Sequence, residues 1–222
     1  MVKMKFPYSL VLFDIDGTLV DTDLIILKCF NYLYDKYNEG KRKSPEEIYY
    51  FSGPLISDTI KKEFPHMDTQ FMLNIFAKTG WDLYKTDAKL FPYVKETLEF
   101  LKKENVKLGV ITNKLRKTTF YCFDLLGILD YFDVIIAGDD VKEPKPSKEG
   151  IEKAMHITGI LDKENVLYIG DNASDQLAAI NASVDFMFAN WGPRKINLIK
   201  KPEYSIKSFI EFKEAIDNGK SI

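Results

Sequence analysis

Five short apolar runs punctuate the chain: Leu10 to Phe13, Val106 to Ile111, Val134 to Ala137, Val166 to Ile169 and Val184 to Phe188. Turn residues bound each run, and none alternates cleanly between apolar and polar positions. Each therefore predicts a strand covered on both faces, as in a parallel sheet. Helical spacing fills most of the intervals. Arg116 to Leu126 places Phe120, Phe123 and Leu126 along one helical face, and Lys148 to Thr158 occupies the next gap. Strand and helix in alternation predict an α/β fold, a parallel sheet flanked by helices and joined by right-handed crossovers.

The interval between the first two strands breaks this rhythm. From about Asp21 to Leu90 no strand pattern shows, while Leu24, Leu27, Phe30, Tyr34 and Tyr37 mark a helix. Ser44-Pro45-Glu46-Glu47 offers a capping box with proline in the first turn. The chain is expected to leave the sheet just after Asp16, build an all-helical insertion, and return near Phe91-Pro92, where Tyr93 to Lys102 forms a helix leading to the second strand. The expected division is a core of residues 1–20 and 91–222 with a helical cap of residues 21–90. Ser208-Phe209-Ile210-Glu211 is a second capping box, opening a short amphipathic helix that packs on the sheet.

Composition narrows the functional classes. The 222 residues suffice for one large core with a small companion. Thirty-one basic and 33 acidic residues, giving a net charge of −2, leave no basic stripe, so nucleic acid is not an expected partner. No window approaches the ~20 apolar residues of a membrane span. The opening Met1-Val2-Lys3-Met4-Lys5-Phe6-Pro7 leads into a short apolar run that ends in acids, which predicts a first strand rather than a signal peptide. Cys29 and Cys122 lie apart in apolar helical contexts and read as buried thiols of a cytoplasmic protein.

Candidate chemistry gathers at the ends of the predicted strands, where a parallel sheet exposes its ligand crevice. The first strand closes in Phe13-Asp14-Ile15-Asp16-Gly17-Thr18, with two acids at i and i+2 and a glycine that permits a sharp turn into a phosphate-cradling loop. Read alone, Asp16 and Gly17 could simply make a strand-ending turn. Thr112 and Asn113 close the second strand and offer a hydroxyl and backbone donors, although Thr112 could equally cap a helix. After the third strand, Lys145 stands between Pro144 and Pro146, suited to a phosphoryl oxygen or to a solvated loop. The fourth strand runs into Gly170-Asp171-Asn172-Ala173-Ser174-Asp175, where either acid could be a helix cap but hardly both.

Acid pair, hydroxyl, lysine and acid pair, in that order along one sheet edge, resemble the four motifs of the haloacid dehalogenase superfamily. The resemblance spans the chain and includes that family's helical cap between the first two motifs. Gly53-Pro54-Leu55, Thr112-Asn113-Lys114 and Asn190-Trp191-Gly192 more loosely resemble phosphoglycolate phosphatases, although the proline those enzymes often carry at the position of Lys148 and a second proline near Gly53 are absent. The resemblance implies a Rossmann-like core and a magnesium-dependent phosphomonoesterase acting on a small phosphorylated, phosphoglycolate-like metabolite. In it, Asp14 is the nucleophile that forms an aspartyl-phosphate, and Asp16 serves as acid and then base. Thr112 and Lys145 hold the phosphoryl oxygens with the backbone of Gly17 and Asn113. Asp14, Asp171 and the backbone carbonyl of Asp16 hold Mg2+, and Asp175 lies just outside the ligand set. Because an ordinary aspartate is ionised at neutral pH, proton donation by Asp16 requires the cap to close and exclude water.

Rival readings on the same scaffold are a phosphomutase of the beta-phosphoglucomutase type and a pyrophosphatase. A dehalogenase is disfavoured by Asp16, and a phosphonatase by the lack of a marked lysine among Lys28, Lys36, Lys61 and Lys62. An aspartate-phosphorylated signalling or binding module is disfavoured by the helical insertion. His66 and His156 read as ordinary polar helical positions, Tyr49-Tyr50-Phe51 as cap interface or core, and Trp81 as a cap anchor or a substrate contact. A monomer or homodimer is expected.

Overall fold

The computed structural model describes residues 6–192 and 194–217, so Met1 to Lys5 of the predicted lead-in lie outside the described residues. Six parallel strands form the central sheet: β1 (Leu10–Phe13), β4 (Lys107–Ile111), β5 (Val134–Ile136), β6 (Val166–Gly170), β7 (Asp185–Ala189) and β8 (Tyr204–Ile206). Their order across the sheet is β5-β4-β1-β6-β7-β8. The five predicted strands are all present. The sixth, β8, adds to the edge of β7 with Met187 opposite Tyr204, and its Tyr204-Ser205-Ile206, broken by a serine and preceded by Lys201-Pro202-Glu203, presents no apolar run in sequence.

Strand periodicity sorts the core into two layers. Val11 and Phe13 of β1 join Leu108, Val110, Leu167 and Ile169 in one apolar cluster. That cluster is covered by α5 (Val94–Lys103), α6 (Arg116–Leu126) and α9 (Phe209–Asp217). Leu10 and Leu12, pointing the other way, join Val134, Ile136, Tyr168 and Phe186 under α7 (Glu149–Thr158) and α8 (Ala173–Ala182). The buried runs are thus explained by helices on both faces. β1 lies between its neighbours with Phe13 opposite both Val110 and Ile169, so the exits of β1, β4 and β6 line up.

Four helices make the insertion: α1 (Asp23–Tyr37), α2 (Pro45–Tyr49), α3 (Ile56–Glu63) and α4 (Thr69–Asp87). The Ser44 capping box forms, with Ser44 Oγ accepting from Glu47 N at 3.3 Å and Ser44 N donating to Glu47 Oε2 at 3.0 Å. At the neck, β2 (Val20–Asp21) and β3 (Lys89–Leu90) pair antiparallel, which corrects the expectation that no strand occurs between Asp21 and Leu90. Two-residue strands carry no readable periodicity. A second correction concerns the buried face of α1. Ile25, Ile26, Cys29, Phe30, Leu33 and Tyr34 are buried, whereas Leu24 is 43% exposed. Leu24-Ile25-Ile26-Leu27 is apolar all round, so spacing alone could not choose the face.

Ile26, Phe30, Leu33, Tyr34, Ile48, Ile60, Phe64 and Met72 form the insertion's own apolar centre, with Phe51 edge-on to Phe30 at 4.7 Å. Ile25, Cys29 and Tyr84 instead join the cluster on the sheet. Trp81 stacks on Tyr121 of α6 at 4.1 Å and 8°, so it anchors α4 to the core side. His156 lies exposed on α7, while His66 sits in the turn between α3 and α4 rather than on a helix. Both cysteines are buried and free. No helix among the described residues is long and apolar enough to cross a membrane.

Candidate active site

Aligned strand exits bring the predicted motifs together. Asp14 extends β1 by one residue, its N–H donating to the Ile169 carbonyl at 2.9 Å, and Thr112 extends β4 likewise through Ile136 at 3.1 Å. Asp171 follows β6, and Asp175 lies in the first turn of α8. Carboxylate oxygens of Asp14, Asp171 and Asp175 fall within 4.8 Å of one another, all buried.

Lys145 reaches into this cluster. Its Nζ donates to Asp14 Oδ1 and Asp175 Oδ1, each at 2.6 Å, with the lysine side chain only 3% exposed. Asn113 fixes the backbone that carries it: Lys145 N donates to Asn113 Oδ1 at 2.9 Å, and Asn113 Nδ2 donates to the Lys145 carbonyl at 3.3 Å and the Gly53 carbonyl at 3.1 Å. Asp175 is held in turn by Asn172 N at 3.0 Å, and the Tyr168 hydroxyl lies 3.0 Å from its other oxygen. Thr112 Oγ1 accepts from Lys114 N at 3.1 Å. Gly17 adopts φ +92°, and a side chain there would overlap Asp171 and Arg194, so the close turn requires glycine.

Two cations escaped the sequence reading of the site. Lys114 Nζ donates to both oxygens of Asp16, at 2.8 and 2.6 Å, while the Thr22 hydroxyl donates to Oδ1 at 2.7 Å. Arg194 Nη2 donates to Asp171 Oδ2 at 2.6 Å, and Thr18 Oγ1 lies 3.4 Å from the other oxygen. Lys114 adjoins Thr112-Asn113, and that adjacency was its one available signal. Arg194 stands in an irregular stretch after β7, where an arginine looks like any solvated cation.

Electrostatics tests whether a metal fits. Five carboxylates, Asp14, Asp16, Asp23, Asp171 and Asp175, face three cations, Lys114, Lys145 and Arg194. Burial pushes Asp14 up to about 7 against the pull of Lys145, and Asp171 up to about 8 against that of Arg194. Burial alone would depress the Lys145 and Lys114 ammoniums, but the facing carboxylates raise both above the ordinary lysine value. The protein's own cations therefore leave the acids under-compensated. A hard divalent cation with oxygen ligands fits that deficit, and the three converging carboxylates offer the donor set for it.

The family model for haloacid dehalogenase-like hydrolases matches residues 11–189, most of the chain. Pyrophosphatase PpaX of Oceanobacillus iheyensis is 34% identical over 199 residues, covering 89% of this chain and 91% of the relative. A Lactobacillus plantarum structure provisionally assigned as a phosphoglycolate phosphatase superposes with a TM-score of 0.83 at 23% identity, covering 94% of this chain and 99% of that one. CbbY from Rhodobacter sphaeroides, in complex with phosphate, gives 0.79 at 20% identity over 92% of this chain and 96% of that one. The two structural likenesses establish the fold.

Proposed function

The chain belongs to the haloacid dehalogenase-like hydrolase family, and from that premise we propose that it is a cytoplasmic, magnesium-dependent phosphohydrolase of small phosphorylated molecules, with pyrophosphate preferred. The observation that carries the reaction class is the Asp14–Lys145–Asp175 cluster beside Asp171 at aligned strand exits. The preference for pyrophosphate is supported by the relatives named pyrophosphatase.

Asp14 attacks phosphorus through the oxygen not bonded to Lys145, forming an aspartyl-phosphate and releasing the leaving group; water then attacks phosphorus and restores the carboxylate. Lys145, which fixes the nucleophile's orientation, moves its ammonium toward the phosphoryl oxygens as charge builds there. Thr112 and the backbone of Asn113 add donors, whereas the Gly17 N–H, expected to donate as well, is taken by the Val20 carbonyl at 2.9 Å, so this glycine shapes the turn instead. Asp16, held by Lys114 and Thr22, receives the proton of the attacking water in the second step. Asp14, Asp171 and the Asp16 carbonyl would hold magnesium, with Asp175 beside them, and the ion when bound supplies positive charge to the phosphoryl oxygens. Residues 21–90 act as the cap that excludes water over a core of residues 1–20 and 91–222.

Phosphate release from pyrophosphate, phosphoglycolate, sugar phosphates and an aryl phosphate tests this reading. Expected are magnesium-dependent turnover, pyrophosphate fastest, and a loss of several orders of magnitude in Asp14→Asn. Full activity in chelator, or turnover by the variant, contradicts the mechanism; phosphoglycolate as the best substrate contradicts only the preference.

A further inference from the structure

We propose that Arg194 recognises the second anionic group of the substrate, the phosphoryl group that departs while its neighbour is transferred to Asp14; this rests on the phosphohydrolase reading above. Arg194 bridges the seam between sheet edge and insertion. Its Nη2 donates to Asp171 Oδ2 at 2.6 Å, and its Nη1 donates to Asp23 Oδ1 at 3.1 Å and to the Tyr49 carbonyl at 3.0 Å. A Cβ placed on Gly17 would come within 2.1 Å of Nη2, so the guanidinium lies directly on the turn that follows the two motif acids.

A purely structural strut does not account for the donor pattern. The Arg194 side chain is 3% exposed, and its Nε has no hydrogen-bond partner. Buried donors are normally satisfied, so an unfilled one in an acid-lined crevice points to an anion that completes it. With Nη1 held by Asp23 and the Tyr49 carbonyl and Nη2 held by Asp171, Nε is the guanidinium nitrogen left for a phosphoryl oxygen. The next residue reinforces the placement: Lys195 N donates to the Tyr50 hydroxyl at 3.2 Å, and Asn172 Nδ2 donates to the Ser52 carbonyl at 3.4 Å. The arm that carries Arg194 is thereby fixed against segment 49–52 of the insertion, so the guanidinium stays at the seam.

Calorimetric titration of the full chain in excess magnesium, with methylphosphonate and methylenediphosphonate as probes, tests the assignment. Wild type is expected to prefer the diphosphonate by roughly 10- to 100-fold, the range of a single charge-assisted hydrogen bond. Arg194→Gln should bring the ratio of the two affinities close to unity, and Arg194→Lys should restore only a small part of it. Equal affinities in wild type, or an undiminished ratio in Arg194→Gln, overturn the proposal. If the glutamine variant does not fold, the wild-type ratio and the lysine variant decide. When neither probe binds but phosphate release is positive, Arg194 loses its assignment alone; when both fail, the phosphohydrolase reading falls with it.

Discussion

The crevice at the strand exits and the interior of the helical insertion are both buried, yet they are held together by opposite means. In the crevice, Asp14, Asp175, Asp171 and Asp16 are each bonded to Lys145, Arg194 or Lys114, and nearly every side chain at its base is charged. In the insertion, Phe30 meets Tyr34, Phe51 and Phe76, and the buried residues are almost wholly apolar. The insertion meets the crevice through both backbone and polar side chains: the carbonyls of Tyr49, Ser52 and Gly53 accept from Arg194, Asn172 and Asn113, while Thr22 donates to Asp16 and Asp23 accepts from Arg194. The contrast places the paired charges at the sheet edge and an apolar interior in the insertion, joined by polar contacts between them.

Removing the central cation should disturb the first region most. Lys145→Ala leaves two buried carboxylates without their partner and is expected to cost about 3–5 kcal/mol in urea unfolding, along with phosphatase activity. A loss below about 1 kcal/mol, the size of a surface pair, would mean that the cluster is solvated and the contrast false. Phe30→Ala opens a cavity in the second region at a similar cost of about 3–5 kcal/mol. Hydrogen exchange should then speed up in α1 and α4 while β1 and β6 keep their protection; equal loss in both would show one cooperative core.

The join between the regions gives smaller effects. Gly53 has φ +103°, and a Cβ there would lie 2.4 Å from Asn172 Nδ2, so Gly53→Ala should cost about 1–3 kcal/mol of thermal stability. An unchanged melting temperature would show that this contact is not held. Cys29 and Cys122 flank the seam beside Lys114, and burial pushes each thiol up to about 12. Both stay protonated through neutral pH, so thiol reagents at about pH 8 should label neither until the protein is unfolded. Rapid labelling of Cys29 would reveal an insertion that opens readily.

The two regions also differed in how far the sequence disclosed them. Asp14, Thr112, Lys145 and Asp171 were legible because a carboxylate, hydroxyl or ammonium beside a buried parallel strand is conspicuous against Leu, Val and Ile. Lys114 and Arg194 were not, since nothing local separates a buried cation from a solvated one; only folding brings them onto Asp16 and Asp171. β1, β4, β5, β6 and β7 were readable from their apolar runs, whereas β2, β3 and β8 owe their pairing to neighbours already in place. The face of α1 was hidden because that helix buries two adjacent stripes, one on the sheet cluster and one in the insertion.

The central claim is that Asp14 carries the phosphoryl group. It is tested most directly by mixing the magnesium-loaded enzyme with radiolabelled pyrophosphate, quenching in acid within the first turnover, counting the phosphoryl label on the protein, and locating its site by mass spectrometry as the residue that borohydride reduces with loss of that phosphate. The account predicts one phosphoryl adduct at Asp14, converted by reduction to homoserine and absent from Asp14→Asn. Turnover with no phosphoenzyme, or with the label on another residue, would contradict it.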